Sequence, residues 1–266
     1  MSEIQPPSFS HPHISLALWW ITAALIALNV ALFLWQIATG VDSSQPNIQD
    51  SLAWGADYPP LTWLGQPLRL LSSIFFHFGF IHLALNMWAL YIFGHIAEQL
   101  YGRFYFMVLY IFSGLAGSLL SAYLSMQDSY EFLKTENFAL LPHLSAGASG
   151  AVMGLGAALT VLAFFPPLPN QAYILVKRTL LMVLGLNLAI GTFMPNINNA
   201  AHIGGMLMGA ILSGVWMLLQ RQNRPKLAPM FGTLLACAIT WASYRYCQHF
   251  AVGLEPLWQA LVEHLN

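Results

Sequence analysis

Apolar residues fill long stretches of this chain, and polar residues interrupt them in clusters rather than in alternation. A bilayer-crossing helix needs about 20 apolar residues, with about 17–25 tolerated. Seven stretches read as spans, at about 15–38, 80–98, 104–124, 149–165, 178–193, 200–219 and 228–246. The segment before the first is Pro-rich and reads as a short flexible tail over 1–14. It lacks a basic flank, and the apolar run behind it is too long for a signal peptide, so the first span is kept as a helix. Two connections are long. Residues 40–79 carry apolar runs of their own and the pair Pro59 and Pro60, and residues 125–148 are mixed, ending in Ser-Ala-Gly-Ala before Ser149. Long ordered connections in a compact fold are usually functional. No repeat, low-complexity tract or domain boundary is visible. The two halves do not mirror each other, which speaks against an inverted-repeat transporter. The expected organisation is all-α and polytopic: a tail over 1–14, a six-helix core over 15–220, and a linker, seventh helix and outer tail over 221–266.

Composition sharpens this. The chain is 58% hydrophobic and 7% charged, where a soluble domain carries roughly 25% charge. A soluble globule and a disordered chain are both excluded. The net charge is −1 and no basic block exists, so the lipid bilayer is an expected partner and nucleic acid is not. Cys237 and Cys247 are ten positions apart on one predicted helix, about 15 Å, too far to bridge; they read as core thiols. Lys and Arg set orientation. With the N-terminus inside, the inner loops hold Arg103, Lys177, Arg178, Arg221, Arg224 and Lys226, and the outer side holds Arg69, Lys134 and Arg245. The excess favours a cytoplasmic N-terminus and an outer C-terminus. No organellar transit peptide is visible, so the expected location is a bacterial inner membrane.

The few polar residues inside the spans share one depth. His82, Ser149 and His202 lie sixteen or seventeen positions from the inner ends of spans two, four and six, roughly 24–26 Å above the inner boundary. The apolar layer is about 30 Å thick, so all three sit a little below the outer surface. Asn86 lies one turn deeper on the face of His82. Span four is short, stopped by Pro166 and Pro167. Its outer end must then start below the surface, and residues 144–148 must dip into the membrane as non-helical backbone. Such backbone is tolerated only when protein encloses it or water reaches it. An aqueous pocket with Ser149 at its floor is expected. Gly150, Gly154 and Gly156 on span four, and Gly204, Gly205 and Gly209 on span six, allow the two helices to touch.

Serine needs an adjacent base to become a nucleophile, and His202 can serve. Ser149 starts a helix, so free backbone N–H groups are at hand for an oxyanion. His82 and Asn86 offer further donors. No buried carboxylate stands at this level to complete a triad. A His-Glu-x-x-His zinc motif and mid-membrane aspartates are both absent, and no metal or other cofactor is implied. The pattern is that of acyl transfer by a Ser–His dyad.

Three stretches carry a family resemblance: Gly-Ala-Ser-Gly (147–150), Ala-His-Ile-Gly-Gly-Met-Leu-Met-Gly (201–209) and His-Phe-Gly-Phe-Ile-His-Leu-Ala-Leu-Asn (77–86). With residues 98–102 and Arg69, they make the chain resemble the rhomboid intramembrane serine proteases in a six-plus-one helix arrangement. The resemblance implies Ser149 as nucleophile and His202 as general base. It implies an oxyanion hole from His82, Asn86 and the Ser149 N–H, Gly147 in the adjoining loop, and Arg69 as an anchor of the outer loop. It also implies cleavage of single-span or other transmembrane substrates near their outer ends. Leu68 before Arg69, and Met153 one turn after Ser149, stand where many relatives carry aromatic rings.

Other readings exist. A lone membrane serine usually bonds a backbone carbonyl, whereas a membrane histidine is functional by default. A non-catalytic rhomboid-like protein would bind membrane helices without cutting them, but such proteins typically lack the serine or the histidine. A metal transporter using His77, His82 and His202 would lack carboxylate or thiolate ligands at that depth. His77 is open between a loop hydrogen bond and a direct role, and His143 between the pocket edge and solvent. His95 reads as structural, and His11, His13, His249 and His264 as exposed.

Overall fold

The computed structural model describes residues 18–166, 175–193 and 198–265. The tail over 1–14, with His11 and His13, lies outside the described residues, as does Pro167. The regular secondary structure among the described residues is helical, apart from one isolated antiparallel bridge between Asp57 and Ser145.

The helices in chain order are α1 (Trp20–Ala38), three short helices α2 (Ile48–Ala53), α3 (Pro59–Trp63) and α4 (Arg69–Ser72), then α5 (Phe80–Tyr101), α6 (Arg103–Thr135), α7 (Ser149–Phe164), α8 (Lys177–Phe193), α9 (Asn199–Arg221), α10 (Ala228–Ala251) and α11 (Glu255–Glu263). α1, α5, α6, α9 and the helical stretch Pro225–Glu263, which contains α10, are long and apolar enough to cross a membrane. α7, at 16 residues, is roughly 24 Å long and cannot fill an apolar layer of about 30 Å. α8 matches the fifth predicted span in position but begins on Lys177 and Arg178, and only Leu180 and Leu184 of its side chains are buried.

α7 is the centre of the molecule. Every residue from Gly150 to Leu159 is buried, as a helix apolar on all sides requires. α5, α6, α8 and α9 surround it. The approach to α9 is backbone on backbone: a Cβ on Gly205 would fall 2.0 Å from the Gly150 carbonyl oxygen, and one on Gly209 2.0 Å from that of Gly154. α6 joins the same contact, with Gly117 against the Ala201 carbonyl. On the far side of α5, the buried Glu98 carboxylate accepts hydrogen bonds from the Ile21 and Thr22 N–H groups at 3.1 and 2.8 Å. It thereby satisfies free donors at the start of α1.

Two expectations need correction. The connection over 125–148 is not loop throughout, because α6 runs on to Thr135. Its polar last turns stay helical, with Met126 buried against the C-terminal part of the chain. The two cysteines are not both core thiols: Cys247 is buried, but Cys237 is exposed on α10, which lies at the edge of the bundle. The residues read as an outer tail contain α11. Its Trp258 is fully buried, in a second cluster with Met126, Cys247, Leu254 and the partly buried Trp63 of α3.

Candidate active site

The extended segment that leads into α7 is held from several sides. Asp57 and Ser145 exchange backbone hydrogen bonds, each at 2.8 Å, and the Gly147 N–H donates to the Ser73 carbonyl at 2.8 Å. The Ala148 N–H donates to Nε2 of His77 at 3.4 Å. This is a loop hydrogen bond of the kind the sequence offers for His77. Residues 144–148 are non-helical, half-buried over 144–147 and buried at Ala148. Gly147 has φ +119°, and a Cβ there would meet the His82 ring at 2.7 Å. Glycine is required on both counts.

A cavity of about 120 Å³ opens at this point, lined among others by His82, Asn86, Gly147, Ser149, Met153 and His202. The sequence placed its candidate nucleophile, base and oxyanion donors at one depth, and the fold brings them to one cavity. His202 is buried and Ser149 half-buried. Nδ1 of His202 has no hydrogen-bond partner among the described residues, so no described carboxylate stands behind the ring. Nδ1 of His82 accepts the Phe78 N–H at 3.2 Å. A neutral ring accepting there carries its proton on Nε2, the atom that lies against Gly147. Asn86 donates one amide hydrogen to the His82 carbonyl at 2.9 Å. Its second hydrogen remains for the cavity.

Arg69 lies outside this cavity. It binds the outer connection, donating through Nη1 to the Leu52 and Ala56 carbonyls at 2.9 and 2.8 Å, and through Nε to Gln66 at 2.7 Å. Leu68 beside it is exposed. His143 is exposed and does not line the cavity. His95 stacks on Tyr91. Among the described residues no group of three His, Cys, Asp or Glu side chains could hold a metal ion.

The Rhomboid domain model matches residues 64–221. Rhomboid protease AarA of Providencia stuartii is 31% identical over 281 aligned positions, covering 100% of this chain and 98% of that protein. The chain belongs to the rhomboid family. Rhomboid protease GluP of Bacillus subtilis (strain 168) is 32% identical, covering 71% of this chain and 33% of the relative. RHOMBOID-like protein 5 of Arabidopsis thaliana is 35% identical, covering 66% of this chain and 55% of the relative. The rhomboid is accordingly an all-α, multi-pass integral membrane protein.

Two residues of this rhomboid's site region escaped sequence reasoning. Asp57 is 1% exposed, and one carboxylate oxygen accepts the Thr62 hydroxyl. Burial pushes its carboxyl up to about 6, with Thr62 and the Arg69 charge acting the other way. Asn198 caps α9 and reaches Ser145 in the segment before α7. Neither lies in a recognisable motif. Each is defined by a partner that only the fold brings near.

Proposed function

We propose that this rhomboid is an intramembrane serine endopeptidase that cuts a peptide bond in or near the outer end of a substrate's transmembrane helix. Ser149 Oγ attacks the scissile carbonyl carbon while His202 removes its proton. Negative charge collects on the carbonyl oxygen. It is met by the Ser149 N–H at the free start of α7, by His82 Nε2–H and by the second Asn86 N–H. His202 returns the proton to the departing amine. A water, deprotonated by the same histidine, then releases the acyl-enzyme. Water reaches this depth because α7 begins below the outer surface, so the bond can be hydrolysed within an otherwise apolar body. Arg69 steadies the outer connection that roofs the site. The N-terminus is cytoplasmic, and the active site opens to the outer side of a bacterial inner membrane.

The observation that carries this reading is the convergence of Ser149, His202, His82 and Asn86 on one cavity in a chain whose relatives include named rhomboid proteases. The test uses purified protein in liposomes with a fluorescently labelled single-span substrate. Cleavage is expected in the wild type and in neither Ser149→Ala nor His202→Ala. His82→Ala should lower kcat by about 10²–10³, the cost of one oxyanion donor. Full activity in either dyad variant overturns the assignment. Helix binding with no cleavage by the wild type would mark a non-catalytic relative.

A further inference from the structure

Asn198 uses its side chain in three directions. Its Oδ1 accepts the Ala201 N–H at 3.0 Å, which caps α9. Its Nδ2 donates to Ser145 Oγ at 3.0 Å and to Ser121 Oγ. Its own carbonyl accepts the His202 N–H at 3.2 Å. One amide therefore joins three parts of the molecule: the first turn of the helix that carries His202, the segment that runs into Ser149, and α6.

The cap alone does not explain the asparagine. Serine, threonine and aspartate cap helices about as well. An amide adds two N–H donors to the capping oxygen, and both are spent on other elements. The glycine contacts between α7 and α9 fix how close the helices lie. They have few side chains to interlock, so they oppose sliding along the axis weakly. The outer ends, where Ser149 and His202 sit, need a separate tie.

We propose that Asn198 is a positioning residue. It sets the register between His202 and Ser149 by tying the first turn of α9 to the Ser145 segment and to Ser121. This rests on the dyad reading above. Misplacement by about 1 Å costs roughly 10²-fold in rate. Loss of the amide should therefore slow the reaction at Ser149 without changing how the reagent binds.

The test measures labelling of Ser149 by a fluorophosphonate in detergent-solubilised protein, resolved into kinact and KI, together with the thermal midpoint. Asn198→Ser and Asn198→Asp keep a capping oxygen and lose both donors. Both are expected to hold the thermal midpoint near the wild type, to lower kinact about 10–100-fold and to leave KI unchanged. Ser145→Ala removes an acceptor from the other side and should lower kinact in the same sense. Its effect should not add to that of Asn198→Ser, because both break one link. Asn198→Ser and Ser145→Ala reacting at the wild-type rate would reduce Asn198 to a cap and overturn the proposal. Additive losses would also overturn it. A wild type that the probe does not label at Ser149 sinks the dyad reading instead. If Asn198→Ser fails to fold, Ser145→Ala alone decides.

Discussion

Asp57 places a buried carboxyl on the residue whose backbone pairs with Ser145, in the segment that leads into Ser149. Burial raises that carboxyl from 3.8 to about 6. Between about pH 4 and pH 6 the folded protein holds a proton that the unfolded chain has released. Stability therefore falls as pH rises through that window, and the loss is complete above it. Two pH units correspond to about 3 kcal/mol. Asp57→Asn removes the titration, so its thermal midpoint should exceed the wild type's at pH 7.5, and the difference should shrink as pH falls to 4. A difference that does not change with pH would show that Asp57 ionises freely. Ser149, His202, His82, Asn86 and Gly147 were all legible in the sequence, because motif and helical depth are local properties that counting recovers. Asp57 and Asn198 were not. Their roles lie in Ser145 and Ser121, partners distant in sequence that no spacing rule connects.

At the scale of elements, the short α7 and the glycine faces of α7 and α9 were readable from Pro166 and the small-residue spacing. The length of α6 was not. A hydropathy pattern reports where a helix leaves the apolar layer, whereas Met126 continues it by packing on neighbours distant in the chain. The part of α6 in the site region was also hidden, since the contact of Gly117 with Ala201 needs a third helix. The α7–α9 contact yields a sharp expectation. Gly205→Ala places a methyl 2.0 Å from a backbone oxygen that cannot rotate away. The helices must part, at a cost of about 1–3 kcal/mol, and cleavage should fall with it. Gly214→Ala, on the same helix with nothing within 4 Å, should be neutral or slightly stabilising, given alanine's higher helix propensity. Paired thermal melts and cleavage rates check this. Equal behaviour of the two variants would mean that the close approach does not matter.

Over the whole molecule, scarcity of charge defines an apolar body, and the fold decides where its polarity collects. Two packed regions emerge. One surrounds α7 within the membrane. The other, around Trp258, joins α11 to α3 and the outer turns of α6. The second was invisible in the sequence because α11 reads as a tail until Trp258 finds Trp63. The cavity with Ser149 belongs to the first of these regions, and under the proposed orientation it opens to the outer side. The direct test is to co-reconstitute the rhomboid with a single-span substrate in liposomes and identify both fragments by mass spectrometry. The account predicts one dominant cut in the outer third of the substrate span, present with the wild type and absent with Ser149→Ala. A cut at the inner end of the span, or the same fragments from Ser149→Ala, would contradict it.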